Sequence, residues 1–150
     1  MVVNRMKISA KGRYAIKLMM DLAIYRSGKP ISLKDVARRQ EISEKFLEQI
    51  IAILNRAGFV RSIRGPQGGY LLTMEPKEYT VGMILRLTEG DLGPTTCVGS
   101  TAAACEEKDT CVTVRIWQQI NDAINNVVDN ITLENLVDWQ NELAADQYVI

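Results

Sequence analysis

The fold is decided by residues 43–73, which read SEKFLEQIIAILNRAGFVRSIRGPQGGYLLT. The first half of this stretch predicts a helix, because Ser43 is a preferred N-cap residue and the apolar side chains after it recur every three or four positions. Gly58 is the residue type that most often follows the last turn of a helix. The second half places a dense turn signal, residues 64–69, between two β-prone runs and therefore predicts a two-stranded hairpin.

Two further helices are predicted upstream of this stretch. Within residues 11–26 the apolar side chains recur at steps of three and four and share one helical face. Ser32 opens a capping-box-like start, and a short helix follows to about Arg39. The connection of residues 40–42 is short, so this helix and the next form a helix-turn-helix. Because a hairpin follows directly, residues 1–80 are predicted to be a winged helix-turn-helix domain that binds DNA.

The second half of the chain is predicted to hold helices around one long loop. Thr80 caps a short helix, and the loop of residues 91–110 completes the segment 81–110. Residues 111–150 then hold a long helix, predicted over residues 112–131, and a C-terminal helix. Apolar side chains along the long helix recur at steps of three and four, so the helix could pack on its own domain or pair with a second copy of itself, and pairing is favoured. The expected fold class is therefore mainly α with a small β-hairpin wing, and the expected assembly is a homodimer.

The formal net charge of zero conceals two oppositely charged halves. Residues 1–80 carry 15 Lys and Arg against 7 Asp and Glu, whereas residues 81–150 carry 3 against 11. A basic half is typical of a module that binds nucleic acid, because phosphate neutralisation supplies most of the non-specific affinity. The two halves are therefore expected to face different partners.

The composition is that of a soluble protein. A length of 150 residues allows one ordinary domain with an appended element. The chain is 47% hydrophobic and 24% charged, and no apolar run approaches the roughly 18 residues that a membrane span needs. The first five residues also lack the apolar segment of a signal peptide. We therefore expect a cytoplasmic protein without a membrane partner.

The candidate DNA-reading residues lie at the start of the second helix of the motif and at the wing tip. In a helix-turn-helix the N-terminal part of this helix enters the major groove, where Gln suits adenine, Glu suits cytosine and Lys suits guanine or a phosphate. An arginine beside a glycine at a wing tip suits a narrow minor groove. The alternative is an ordinary solvated helix face and surface turn. The predicted DNA-binding residues are Ser43, Lys45, Glu48, Gln49, Arg64 and Gly65.

Three cysteines, Cys97, Cys105 and Cys111, lie within fifteen residues of one another in a chain that has no other cysteine and no histidine. In a reducing compartment such a group is typical of metal ligands or redox sensors rather than of disulfides. Thiolates are the usual ligands of iron-sulfur clusters, and the spacing is too open for a zinc ribbon. The alternative is a set of loop cysteines without a function. A metal site here needs a fourth ligand that is neither histidine nor another cysteine of this chain.

Three stretches of the chain resemble one known family. They read MKISAKGRYA (residues 6–15), FLEQI (residues 46–50) and SIRGPQGGYLL (residues 62–72). From about Met6 to Trp139 the chain is similar to the winged-helix regulators that include the iron-sulfur cluster regulator IscR, the cysteine-metabolism regulator CymR and the nitric-oxide sensor NsrR. This resemblance implies a homodimer whose long helices cross and whose recognition helices read two half-sites of a near-palindromic operator in double-stranded DNA.

The resemblance also implies an iron-sulfur cluster on the three cysteines, either a two-iron cluster, which is favoured, or a four-iron cluster. Because CymR relatives lack this triad, the chain looks most like IscR. Two familiar fourth ligands are missing, since Val114 stands where IscR has a histidine and Arg13 stands where NsrR has an aspartate. The fourth ligand is thus open, and it could be a carboxylate of Glu106, Glu107 or Asp109 or a residue from the partner subunit.

These features predict a DNA-binding transcription regulator that senses iron-sulfur cluster status and controls genes of cluster biogenesis. One alternative is a thiol switch or a ligand- or partner-controlled regulator of cysteine and sulfur metabolism, as in CymR. Another is a nitric-oxide or redox sensor, as in NsrR. An enzyme is not expected, because the chain has no Cys-x-x-Cys pair, histidine base or phosphate-binding loop.

Overall fold

The structure, a computed structural model, describes residues 7–99, 106–107 and 109–148. Within these residues the elements follow the order α1 (Ala10–Ile24), α2 (Leu33–Gln40), α3 (Glu44–Arg56), β1 (Val60–Ile63), β2 (Gly69–Leu72), a 3-10 turn (Pro76–Glu78), α4 (Val81–Glu89), α5 (Val114–Val128) and α6 (Leu133–Tyr148). The predicted fold class, mainly α with a small hairpin wing, is confirmed. No helix in the described ranges is long and apolar enough to cross a membrane.

Hydroxyl side chains begin five of these helices. Each accepts a hydrogen bond, 3.1 to 3.4 Å long, from a backbone N–H in the first turn, where the helix itself supplies no acceptor. The five N-cap residues are Ser9, Ser32, Ser43, Thr80 and Thr132. The sequence analysis predicts the starts at Ser32, Ser43 and Thr80.

Helix α1 is the centre of the core and packs against α2, α3, α4 and α6. The innermost side chains from these helices are at most 2% exposed, and removing such apolar surface from water is the main force that favours folding. They include Leu18, Met19 and Leu22 of α1, Leu47, Ile50 and Leu54 of α3, Ile84 of α4 and Leu133 of α6. The start of α6 therefore shares the core of the helix-turn-helix.

The wing is a short antiparallel hairpin with a third chain segment at its edge. Strands β1 and β2 pair in the register that sets Val60 opposite Leu72. Ile31 adds an isolated bridge to Tyr70, with backbone hydrogen bonds of 2.8 and 3.0 Å. Gly69 permits this approach, because a Cβ at that position would collide with the Ile31 carbonyl group. The wing is thus joined to the segment that precedes α2.

Tyr79 joins the base of the wing to α6. Its side chain is fully buried, and its hydroxyl donates to the Phe59 carbonyl oxygen at 2.6 Å. The Tyr79 hydroxyl oxygen also accepts hydrogen bonds from the backbone N–H groups of Thr73 and Met74, both at 3.0 Å. The Tyr79 carbonyl oxygen accepts from the Leu133 N–H at 3.0 Å. One residue therefore satisfies backbone groups from three parts of the chain.

Helix α5 ends earlier than the predicted boundary at Ile131, because Val128 is its last residue. The Ile131 carbonyl oxygen accepts a hydrogen bond from the Val81 N–H at 2.8 Å, and Thr132 pairs with Thr80 in an isolated antiparallel bridge. Extended pairing of this kind is incompatible with helical backbone, so the helix stops before it. The reversal that follows brings α6 back onto α1.

Candidate nucleic-acid interface and cysteine loop

The predicted reading residues of α3 lie together on its exposed side. Leu47 and Ile50, on the other side of the helix, are fully buried against the core. A helix with this distribution presents its polar N-terminal part to the surroundings. The exposed residues are Ser43, Lys45, Glu48 and Gln49.

A buried ion pair fixes α2 onto α1. Asp21 is 0% exposed, and Arg39 donates to its two carboxylate oxygens at 2.7 and 3.0 Å. Gln40 donates a third hydrogen bond to the same carboxylate at 3.0 Å. The Tyr25 ring lies under the Arg39 guanidinium, 4.0 Å from ring centroid to Cζ. Because a buried carboxylate without its cation is strongly destabilising, this contact holds the helix that leads into α3.

An aromatic contact joins α1 to the first turn of α3. The rings of Tyr14 and Phe46 meet edge to face, with centroids 5.4 Å apart and planes at 88°. The Phe46 N–H is also the donor to the Ser43 hydroxyl that caps α3. The position of the recognition helix is therefore linked to the N-terminal half of α1.

The turn between α2 and α3 contains a left-handed residue that the sequence does not reveal. Glu41 has φ 54° and ψ 45°, a conformation that non-glycine residues seldom adopt. This turn lets the Ile42 N–H bond to the Ala37 carbonyl oxygen at 3.1 Å and buries the Ile42 side chain. The angle between the two helices depends on this strained position.

The wing tip carries the other predicted contacts. Arg64 and Gly65 are both exposed, and Gly65 has φ 117°, which favours glycine. Arg61 is a further exposed cation on β1, beside the buried Val60. Sequence reasoning missed Arg61. The signal that could have found it is the alternation of side chains along a strand, which puts Arg61 on the other face of β1 from Val60.

The first part of the cysteine loop, which the structure describes up to residue 99, is folded rather than structureless. Val98 is 1% exposed and anchors the half-buried Cys97 beside it. The Cys97 N–H donates to the Thr95 hydroxyl at 3.2 Å, and the Gly93 N–H donates to the Asp91 carboxylate at 2.8 Å. A single buried valine leaves no periodic pattern, which explains why the sequence predicts only a loop here.

Cys111 lies three residues before the first residue of α5, which begins at Val114 and not at the predicted position 112. Its Sγ is 3.0 Å from the Thr113 hydroxyl. Hydrogen bonding from this hydroxyl, aided by the backbone N–H groups of Thr113 and Val114, lowers the pKa of the Cys111 thiol, while the Glu107 charge opposes the shift. The thiolate, which is the form that binds metal, is therefore favoured.

Cys105, the middle member of the predicted ligand set, lies outside the described residues. Cys97 and Cys111 are free thiols. Within the described ranges, no three Cys, Asp or Glu side chains are grouped closely enough to hold a metal ion. The three-cysteine site thus stays a prediction, while two accessible thiols with one favoured thiolate fit the donor chemistry of an iron-sulfur cluster.

Glu89, the last residue of α4, binds the start of α1. Its carboxylate accepts hydrogen bonds from the Ser9 N–H at 3.1 Å and from the Ser9 hydroxyl. Gly12 allows this approach, since a Cβ there would collide with the carboxylate. The cysteine loop begins directly after Glu89, so the loop and the first turn of α1 share an anchor. Sequence reasoning missed this contact because it joins residues that are far apart in the chain.

Helices α4 and α5, which flank the cysteine loop, are also joined to each other. Arg86 donates to the Asp129 carboxylate at 2.6 and 3.0 Å and to the Asn125 side chain at 2.9 Å. Hydrogen bonding with Arg86 lowers the pKa of Asp129. Gly82 provides the space for this packing, because a Cβ there would collide with the Asp129 carboxylate.

Known proteins are similar to this chain in both sequence and fold. The sequence pattern of the Rrf2 family, described as iron-dependent transcriptional regulators, matches residues 8–139. The HTH-type transcriptional regulator IscR of Pectobacterium atrosepticum is 39% identical over 132 residues, which are 88% of this chain and 79% of that protein.

Two solved structures superpose on the chain with a TM-score of 0.74 and 39% identity each. CymR, the global cysteine regulator of B. subtilis, covers 89% of this chain and matches over 97% of its own. IscR of T. potens covers 91% of this chain and matches over 90% of its own. These relatives are regulators and not enzymes, as the sequence predicts for this chain. With its winged helix and exposed recognition helix, the chain belongs to the Rrf2 family of DNA-binding transcriptional regulators.

Proposed function

We propose that the chain is a homodimeric, cytoplasmic regulator that binds near-palindromic double-stranded DNA and responds to iron-sulfur cluster status. In this proposal Cys97, Cys105 and Cys111 hold the cluster, and the regulated genes include those of cluster biogenesis. The observation that carries the proposal is the position of the cysteine loop. It begins directly after Glu89, whose carboxylate binds Ser9 at the start of the helix that supports the DNA-reading helix.

The DNA-binding part of the proposal rests on α3 and the wing. Lys45 and Gln49 are exposed on α3, where a major groove presents the edges of guanine and adenine. Glu48 is exposed beside them and repels phosphate, so it selects against some sequences as well as accepting from cytosine. Arg64 projects from the wing tip, which suits the negative potential of a narrow minor groove. The two elements together account for base reading in both grooves.

The dimer part of the proposal rests on an uncovered apolar seam along α5. Ile116 and Val127 are 51% and 55% exposed, and Ala123 is exposed between them. Val112, which lies two residues before the helix, is 71% exposed. Apolar residues at steps of three and four on one helix face are typical of helix pairing. Pairing two copies would bury this seam and place two recognition helices at a fixed spacing, as two half-sites require.

The sensing part of the proposal rests on the two ends of the cysteine loop. The buried Val98 anchors Cys97 in the first half of the loop, and the Thr113 hydroxyl favours the thiolate of Cys111 before α5. A bound iron-sulfur cluster would be lost or chemically altered when the supply of iron or sulfide, or the level of oxidants, changes. These residues would hold it between two helices of the same protomer.

A continuous set of contacts leads from the loop to the recognition helix. Glu89 binds Ser9 at the start of α1, and Tyr14 on the same helix contacts Phe46 on α3. Coupling between sites is commonly carried by packed side chains and rigid helices of this kind. We infer that rearrangement of the loop changes how α1 supports α3.

The test is anaerobic reconstitution of the full chain with iron and sulfide, followed by DNA-binding measurements at one salt concentration. Cluster-bound and cluster-free protein are expected to differ in affinity or in base preference by about 5- to 150-fold, the usual range of coupling between sites. A variant with Cys97→Ser and Cys111→Ser is the matched control and should behave as the cluster-free protein does. Equal affinity and equal preference in both states would refute the sensing proposal while leaving DNA binding intact.

A second candidate function is a thiol switch that uses the same cysteines without a cluster. The favoured thiolate of the half-buried Cys111 supports it, because thiolate character promotes oxidation. The content of iron and acid-labile sulfide in anaerobically purified protein separates the two functions. Mössbauer spectra of the same sample would distinguish a two-iron from a four-iron cluster.

A further inference from the structure

Helix α5 is fastened to its own protomer near its C-terminal end. Arg86 of α4 donates to the two carboxylate oxygens of Asp129 at 2.6 and 3.0 Å and to the Asn125 side-chain oxygen at 2.9 Å. We call these three side chains the Arg86 clamp. Val127, an exposed residue of the apolar seam, is two residues from each of the two acceptors and therefore lies on the opposite side of the helix. The clamp thus leaves the seam uncovered.

The position of Asp129 makes this contact depend on Arg86. Asp129 is the C-cap of α5, and the partial negative charge of a helix C-terminus disfavours a carboxylate but favours a cation. Gly82 gives the cation room, because a Cβ there would collide with the Asp129 carboxylate and the guanidinium. The side chains of Arg86 and Asp129 are 39% and 44% exposed, so the ion pair adds little stability. Its two parallel hydrogen bonds instead fix an orientation.

Packed helices carry this orientation to the recognition helix. Helix α4 packs against α1, and α1 packs against α3. The chain directly after α5 is also held at the start of α4, where the Val81 N–H donates to the Ile131 carbonyl oxygen at 2.8 Å. The clamp and this hydrogen bond therefore set the direction of α5 relative to α3 within one protomer.

Resting on the proposed dimer, we propose that Arg86 is a positioning residue that sets the spacing of the two half-sites the regulator accepts. When α5 pairs with its copy, the angle between α5 and α4 determines the separation and the rotation of the two recognition helices. A dimeric reader requires half-sites at a fixed separation, about one helical turn of DNA or a multiple of it. Arg86 lies on α4 and not on α3 or the wing, so it acts on operator choice through this geometry.

The experiment compares the wild-type chain with Arg86→Met, Asp129→Asn and the double variant. Each substitution keeps the approximate size of the side chain and breaks the ion pair. Glu75→Gln is the matched control, because it breaks an exposed two-pronged ion pair with Arg26 that does not involve α5.

Affinity is measured on three DNA duplexes whose half-sites come from selection by wild type from random DNA. They carry a single half-site, two half-sites at the preferred spacing, and the same two half-sites with two base pairs inserted, which rotates one by about 70° relative to the other. Sedimentation velocity measures the assembly of each protein, and circular dichroism verifies that it is folded. The spacing ratio is the affinity at the preferred spacing divided by the affinity after insertion.

For wild type the spacing ratio is expected to be about 10 to 100, since linked binding fails where geometry forbids simultaneous engagement. The three variants should lower this ratio by about 2- to 30-fold, the range for residues that couple distant sites, and should keep the single half-site affinity within about twofold. The double variant should lower it no more than either single variant does, because the pair acts as one unit. Glu75→Gln should keep the wild-type ratio.

Four results would overturn the proposal. If the variants are folded dimers with the wild-type spacing ratio, Arg86 does not set the spacing, yet the dimer stands. If Glu75→Gln lowers the ratio as much, the effect is one of general rigidity. If the variants are monomers, the clamp is needed for pairing itself and not for spacing. If wild type is a monomer, the proposed dimer fails, and the role of Arg86 fails with it.

Discussion

At the scale of single residues, Gln49 on α3 offers a test of base reading. Its side chain is exposed while its neighbour Ile50 is buried, so the amide is free to enter a groove. Gln49→Ala is expected to relax preference at one base position by about 1–3 kcal/mol, the value of a bidentate contact with adenine. Binding to operators altered one base at a time measures this. Asn55→Ala, an exposed change near the end of α3, is the control and should leave every base preference unchanged. If Gln49→Ala instead lowers the affinity for all operators equally, Gln49 contacts the DNA backbone and not a base.

Arg64 tests the role of the wing tip. Arg64→Ala is expected to weaken binding to operators with a narrow A/T-rich minor groove by roughly 1.5–3 kcal/mol, the range for hydrogen bonds to a charged group. Arg61→Ala removes the same charge from the wing strand and should lower affinity for all operators alike. Titrations with operators that differ only in minor-groove width make the comparison. If the two variants behave identically, Arg64 contributes charge and not groove recognition.

Glu41 stores strain in the helix-turn-helix. Because glycine adopts φ 54° without the steric cost that Glu41 bears, Glu41→Gly is expected to stabilise the fold by about 0.5–1 kcal/mol. Ala52→Gly on the exposed side of α3 is the control of opposite sign, with an expected loss of about 1 kcal/mol. The midpoint of urea denaturation measures both changes, provided that the dependence of the free energy of unfolding on urea concentration has the same slope in all variants. A loss of stability with Glu41→Gly would show that its side chain contributes more than its backbone strain costs.

At the scale of elements, Tyr79 tests how the wing is held. Tyr79→Phe removes the hydroxyl that bonds to backbone groups of Phe59, Thr73 and Met74. The Met74 N–H then loses its partner, while the Phe59 carbonyl and the Thr73 N–H keep the 3.3 Å hydrogen bond that they make with each other. Since a polar group left without its partner costs about 1–3 kcal/mol, the free energy of unfolding is expected to fall by about that amount. Tyr25→Phe removes an exposed hydroxyl and should change it by less than about 0.5 kcal/mol. Equal effects in urea denaturation would mean that water replaces the Tyr79 hydroxyl.

The elements divide into those that local sequence predicts and those that distant contacts decide. The starts of α2 and α3 follow from Ser32 and Ser43, whose hydroxyl groups act within three residues. The end of α5 depends on the hydrogen bond between Ile131 and Val81, which no local pattern contains. The predicted boundaries after residues 80 and 110 stay predictions, although α6 packs on α1.

The candidate site divides in the same way. The amphipathic pattern of α3 identifies which of its residues are exposed, because burial of one side determines the other. The cysteine site depends on how a loop without periodicity folds, and one of its three thiols lies outside the described residues. The link from Glu89 to Ser9 depends on packing between α1 and α4, so the sequence alone does not reveal it.

At the scale of the whole molecule, charge sets how the protein approaches DNA. Helix α6 carries acidic residues and no Lys or Arg, whereas Lys45, Arg61 and Arg64 lie exposed on α3 and the wing. DNA phosphate attracts these three cations and repels the acidic residues of α6, which orients the protein on DNA before any base is read. The exposed seam of α5 lies in the acidic half, so the proposed pairing of two copies there would leave the basic surface available for DNA.

The last prediction tests that pairing. Val127→Asp is expected to convert the proposed dimer to a monomer, because it places a charge in the apolar seam, where an unpaired ion is strongly unfavourable. Asn126→Asp adds the same charge on the adjacent residue, about 100° around the helix, and should leave the dimer intact. Sedimentation velocity measures the assembly, and circular dichroism verifies that both variants are folded. A folded Val127→Asp protein that still sediments as a dimer would place the contact between protomers elsewhere. A folded monomer should bind a single half-site but lose the added affinity of a near-palindrome, since that affinity requires two linked recognition helices.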